Sequence, residues 1–242
     1  MPVLLLAASM LIDLTHPFDS KTLYWPSGEG SFQLKQLSYG RTSAGFFYSA
    51  YSFCGPEHGG THIDAPIHFA EGGLTVDKIP PERLVGPLIL VDVSAKAAKD
   101  PDYRVTPQDI EAEEKARGAI PRGAMVLLRT GWAKRWGDRK AYFGDDTPGD
   151  ASRLHFPGLS AEGAKLLVAR GVSAVGLDTP SIDHGPSKDF IAHQLLLGAG
   201  IYAIENLASL DRLPARGATL YALPMKIGGG SGAPARVLAV VP

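Results

Sequence analysis

The sequence predicts a single α/β domain of mixed, α+β character over residues 1–242, and three observations carry that prediction. The second half alternates strand-like and helix-like stretches, the pattern of α/β units. The first half reads as short strands, which argues against a simple doubly wound sheet. The chain is 242 residues long, 45% hydrophobic and 20% charged, enough for one substantial core and too apolar for disorder.

In chain order, residues 10–14, 32–37 and 46–53 are short apolar or alternating runs separated by Gly, Pro and Ser, and read as strands. Residues 84–93 form a near-continuous apolar run, expected as a buried strand. Thr106-Pro107 supplies an N-cap and a proline at the first helical position, so a helix should run to about Arg117, before Gly118. A second buried strand is expected at 125–129. Residues 133–157 are polar and rich in Gly, Asp and aromatics, and read as a long surface excursion. Ser160 should cap a helix over 161–170 that Gly171 stops. A strand at 172–177, a helix at 188–197 and strands at 201–204, 219–223 and 236–241 complete the expected order.

The most informative stretch is the run from His58 to His68, His-Gly-Gly-Thr-His-Ile-Asp-Ala-Pro-Ile-His. Three of the chain's seven histidines fall here with one carboxylate. Histidine is the commonest metal ligand, and carboxylates complete hydrolytic metal sites. Gly59, Gly60 and Pro66 argue against a helix. On a strand, His62 and Asp64 point to one face. His58 can fold back across the Gly-Gly bend to meet them, and Pro66 ends the strand with His68 at the rim. A buried polar cluster held by its own hydrogen bonds would also account for two histidines and an Asp. The zincin pattern is absent, because Gly59 stands where its Glu belongs.

His193 and Glu205 are further candidates from the second half, Glu205 lying just after a strand, where α/β folds bind ligands. Asp178 and Asp183 are candidates to orient a histidine ligand, although turn chemistry explains them as well. Trp25 and the Phe46-Phe47-Tyr48 cluster could wall an aryl substrate, or pack as ordinary core. His16, His155 and His184 sit in proline-flanked loops and read as turn residues.

Net charge is −1 with no basic run, so nucleic acid is not expected as a partner. The lone Cys54 cannot form an internal disulfide, which fits a reducing, cytoplasmic setting. The apolar opening over residues 1–11 is too short to span a membrane and lacks a signal peptide's basic region. An ordered strand or an oligomer arm is the expectation there.

The chain resembles the cyclase / metal-dependent hydrolase family that includes kynurenine formamidase and isatin hydrolase. The family pattern H-x-G-T-H-x-D-x-P-x-H is matched by residues 58–68 without a gap. A second signature resembles His193 followed twelve residues later by Glu205. Asp-Leu-Thr at 13–15, Trp25-Pro26, Arg129-Thr-Gly-Trp132 and the Gly-Gly-Gly-Ser-Gly stretch between Pro224 and Pro234 are also similar. The resemblance implies a β/β/α swivelling-type fold with a mixed sheet and flanking helices, a homodimer or homotetramer, and one or two zinc or manganese ions. It implies His58, His62 and Asp64 as ligands of a first metal, Asp64 as a bridge to a second held by His193 and Glu205, and His68 as catalytic acid/base. The 133–158 excursion is longer than in compact formamidases.

The expected function is a metal-dependent hydrolase of an amide, lactam, lactone or ester bond in a small cyclic or aryl compound. The alternatives are a ring-closing or dehydrating cyclase using the metal as Lewis acid, and a non-catalytic metal- or small-molecule-binding protein.

Overall fold

The computed structural model describes residues 9–242. The expectation for the apolar opening falls largely on residues 1–8, outside the described residues. The first half supplies strands β1 (Met10–Asp13), β2 (Gln33–Arg41), β3 (Phe47–Cys54), β4 (His62–Asp64) and β5 (Val85–Asp92). Then come α1 (Ser94–Ala97), β6 (Arg104–Val105), α2 (Pro107–Arg117), β7 (Met125–Arg129), α3 (Arg139–Phe143) and β8 (Gly158–Leu159). The chain ends with α4 (Ala161–Arg170), β9 (Ala174–Leu177), α5 (Ile191–Gly198), β10 (Tyr202–Glu205), β11 (Thr219–Pro224) and β12 (Gly232–Val241).

The main sheet runs β1-β12-β11-β5-β7-β9-β10-β4 and closes on itself, because β4 pairs with β12 as well as β10. The long β12 makes this possible. Its first residues pair with β4 (Gly232↔Asp64) and its last with β1 (Val241↔Met10). Strands β5, β7, β9 and β10 run parallel, with helices in the connections, and the remaining pairings are antiparallel. The result is a mixed-sheet barrel with helices on one flank, as the α+β reading expected.

Side-chain alternation divides the core in two. Leu88, Leu90, Met125, Leu127, Ile204 and Val237 share one cluster with Ile63. The intervening Ile89, Val91, Val126, Leu128, Val175 and Ala203 pack with Ile110 of α2, Leu167 of α4 and Leu196 of α5. The helix ends follow the sequence signals. Thr106 and Asp109 form a reciprocal capping box with Pro107 in the first turn. Ser160 caps α4, and Gly171 ends it in a left-handed conformation at φ 67°.

Four expectations need correction. The helix expected from 188 begins at Ile191, because Pro186 and the left-handed Phe190 (φ 50°) keep 184–190 out of helical geometry. β12 begins at Gly232, four residues earlier than expected, where Gly and Pro234 mask a strand in the sequence. The 133–157 excursion is not confined to the surface, since Tyr142, Phe143, Leu154 and Phe156 are buried with Trp132 and Leu23 in a third cluster. Phe46 and Phe47 are neither core nor pocket wall. They sit 59% and 56% exposed on the two-stranded arm of β2 and β3. Among the described residues no helix is long and apolar enough to cross a membrane.

Candidate active site and metal centre

Closure of the barrel through β4 builds the site. Ile63 turns into the core, so its neighbours His62 and Asp64 share the opposite face. The antiparallel pairing of β4 with β10 sets Glu205 directly across from His62. The loop after β9 carries Asp183, whose carboxylate accepts the N–H groups of Ala192 and His193 at 2.9 and 3.1 Å. That bond caps the first turn of α5 and fixes His193. His58 reaches back across the Gly59-Gly60 bend, whose glycines leave room for the Tyr24 and Phe18 rings.

Asp64 is the hub. Its Oδ1 lies 2.7 Å from His58 Nδ1 and 3.1 Å from His62 Nε2, and its Oδ2 lies 3.3 Å from His193 Nε2. Glu205 joins through Oε1 to His193 Nε2 at 3.2 Å and Oε2 to His62 Nε2 at 3.5 Å. Two donor groups result, His58-His62-Asp64 and Asp64-His193-Glu205, with Asp64 common to both. The structure thus brings together all five residues singled out as ligands, two of them from the far end of the sequence.

The surroundings fix which nitrogens face inward. His62 Nδ1 donates to the Gly60 carbonyl at 2.9 Å, and His193 Nδ1 to Asp183 at 2.7 Å. Both leave Nε2 toward the carboxylates. His62 Nε2 is buried without a hydrogen-bond partner. A buried orphan nitrogen beside two carboxylates calls for a cation. Asp183 therefore does the orienting anticipated for it. Asp178 does not: it accepts from the Thr130 amide and hydroxyl at 2.9 and 2.6 Å and holds the turn after β7.

Electrostatics agree. Burial alone would raise Asp64, but the charge of nearby His62 and hydrogen bonding to His193 hold it well below the usual carboxylate range. Glu205 is raised, first by burial and then by the Asp64 charge. His62 is pulled down by burial, yet Asp64 and Glu205 more than offset this and raise it to about 9. His193 is raised against burial by Asp183, Asp64 and Glu205. The protein alone thus favours positive charge between these two carboxylates. A divalent ion fits that donor set in kind, number and charge.

His68 ends the short turn Pro66–His68 and stacks on His58 with ring centroids 3.8 Å apart. Burial, only partly opposed by Asp64, lowers it to about 4 and keeps it neutral. It lines a cavity of about 280 Å³ together with the donor set. Trp25 borders this cavity, with Phe69 and Phe190. Trp25 and Phe190 meet edge to face at 6.0 Å, and Phe69 stacks on His193 at 4.6 Å. Sequence reading did not single out Phe69, Phe190 or Asn206, since a lone aromatic or Asn in a loop carries no periodic signal. Asn206 links the excursion to the site: it accepts from the Tyr142 hydroxyl at 2.9 Å and donates to Gly60 O at 2.8 Å. Of the other histidines, His16 stacks on Trp136 and His155 pairs with Asp102, both away from the cavity.

This fold, with this buried donor set opening on an apolar cavity, is that of a metal-dependent hydrolase. Residues 12–184 match the family model described as "Putative cyclase", and the chain belongs to that family. It is 37% identical to the solved isatin hydrolase A from Labrenzia aggregata bound to benzyl benzoate, with 97% of this chain and 94% of that one covered and a TM-score of 0.87. It is 34% identical over 183 residues to a kynurenine formamidase from Salinibacter ruber, covering 75% of this chain and 74% of that protein. A structure described as a potential metal-dependent hydrolase with cyclase activity matches at 26% identity, covering 97% of this chain and 99% of that one, with a TM-score of 0.75.

Proposed function

We propose that this protein is a divalent-metal hydrolase that opens a C–N bond, most naturally a cyclic amide, in a small aryl compound. The carrying observation is the orphaned Nε2 of buried His62, aimed at two carboxylates on the floor of an aromatic-walled cavity. His58, His62 and Asp64 hold one zinc or manganese ion in this reading, and Asp64, His193 and Glu205 offer a second position. Such an ion acidifies water toward neutrality and polarises a carbonyl oxygen as a Lewis acid. His68, neutral and facing the cavity, takes a proton and returns it to the leaving nitrogen.

The cavity size limits the substrate. A void of about 150 Å³ accommodates benzene, so 280 Å³ has room for a compact bicyclic ring. Trp25 and Phe190 supply flat faces for it. A histidine in the cavity beyond the ligand set favours an enzyme over a metal-storage or binding protein.

The β2–β3 arm belongs to the same reading. A lone two-stranded hairpin is marginal in water, yet this one exposes Leu34, Leu37, Tyr39, Phe47, Tyr51 and Phe53. At roughly 100 Å² each, from half-exposed large side chains, these approach the ~800 Å² that one side of a standard interface buries. A second copy of the chain covering the arm makes the working unit a homo-oligomer.

The test is turnover. Metal-stripped protein is reloaded with zinc or manganese and offered isatin, N-formylkynurenine and a simple aryl lactone. Metal-dependent opening of isatin supports the cyclic-amide reading. Cleavage of the lactone alone, or none at all in fully loaded protein, overturns it.

A further inference from the structure

The glycine-rich strap before β12 holds a hydrogen-bond chain that ends on His58. Glu57 Oε2 accepts from the Ser231 backbone N–H at 3.0 Å and from its hydroxyl at 2.7 Å. Ser231 Oγ lies 2.8 Å from His58 Nε2. A hydroxyl has one proton to give. With that proton directed to the Glu57 carboxylate, Oγ can only accept, and Nε2 of His58 must carry the hydrogen. Nδ1, hydrogen-bonded to Asp64 Oδ1 at 2.7 Å, is then the nitrogen left for a cation to take.

The strap is shaped for this. A Cβ at Gly230 would meet Glu57 Oε1 at 2.7 Å, and one at Gly232 would meet His58 Cε1 at 2.6 Å. Side chains at either place would push the carboxylate or the imidazole out of line. The strap is also anchored: Ala65 N donates to Ser231 O, and Val76 N to Gly230 O, each at 2.9 Å. Neither Glu57 nor Ser231 lines the aromatic cavity. Both act through His58, so neither is placed to touch substrate.

We propose that Glu57 and Ser231 are positioning residues that hold His58 in the tautomer presenting Nδ1 to a divalent cation. Gly-Gly-Gly-Ser-Gly at 228–232 is then the part of the sequence that permits the contact. The proposal rests on His58 being a metal ligand, and its test separates the two claims.

Zinc affinity is measured by competition with a chromophoric chelator in the wild type and in Ser231→Ala, Ser231→Thr, Glu57→Gln and His58→Ala, with Tm as a check on folding. Loss of such an orienting partner costs about 10–100-fold in metal affinity, and that loss is expected for Ser231→Ala. Threonine, which keeps the hydroxyl, should restore most of it. Glu57→Gln should also weaken binding, because its amide can donate to Ser231 and reverse the chain. Nitrogen-15 NMR of the zinc-loaded wild type should find His58 protonated at Nε2 and bound through Nδ1, with that signature lost in Ser231→Ala. Wild-type affinity in both Ser231→Ala and Glu57→Gln, or His58 bound through Nε2, overturns the proposal. If His58→Ala itself leaves zinc affinity unchanged, the ligand assignment fails instead.

Discussion

His193 donates from Nδ1 to Asp183 at 2.7 Å, and the same carboxylate accepts the backbone N–H of His193 at 3.1 Å. One side chain thus orients both the imidazole and the helix that carries it. Asp183→Asn keeps an acceptor but loses the charge and can turn its amide toward the ring. Binding at the Asp64-His193-Glu205 group should weaken about tenfold or more. Unchanged zinc affinity and stoichiometry would show that Asp183 serves the helix alone.

His68 lies in the cavity and lacks the carboxylate contacts of the ligand set. His68→Ala should lower turnover by about a hundredfold or more, the usual size of an acid/base contribution, while metal content stays near that of the wild type. Metal loss as deep as that of His62→Ala would make it a ligand.

Glu205 can be separated from its neighbours by charge. Glu205→Gln preserves shape, and its carbonyl can still accept from Ile182 N–H, now 2.8 Å from Oε1. A drop in metal stoichiometry identifies Glu205 as a ligand. A drop in turnover at full stoichiometry assigns it to orienting water.

His16 should make the protein acid-sensitive independently of the metal. Burial against Trp136 lowers its pKa from 6.5 to about 4. Between those values the unfolded chain binds the proton and the folded chain does not. No stability is lost to this group above pH 6.5, and the loss grows as pH falls toward 4, amounting to at most about 2 kcal/mol at pH 5. His16→Phe keeps an aromatic stack and removes the titration, so its Tm should fall less between pH 7 and pH 5. Parallel Tm curves for the two proteins would rule this out.

If the β2–β3 arm is covered by a second copy, charge on its exposed face should separate the copies. Leu37→Glu combined with Phe47→Glu should give monomers by light scattering at micromolar concentration, with secondary structure retained. A wild type that is already monomeric at that concentration removes the premise.

Much of this was legible in residue order. Glycine and proline bounded the elements, the caps at Thr106 and Ser160 started α2 and α4, and alternation on a strand set His62 and Asp64 on one face. Those signals are local, because φ/ψ preference and side-chain period act over a few residues. Convergence of His193 and Glu205 on Asp64 is not local. It depends on β4 pairing with both β10 and β12, which a three-residue strand does not announce. Nor can residue types tell where an apolar face goes. Phe47 and Tyr142 look alike as aromatics in short runs, yet one stands on an exposed arm and the other is wholly buried beside the site. Residue order alone specifies the chemistry, a set of imidazoles and carboxylates with one strand to present them. Which nitrogens and oxygens meet follows from the folded molecule, because closing the barrel and burying its two core faces sets their distances.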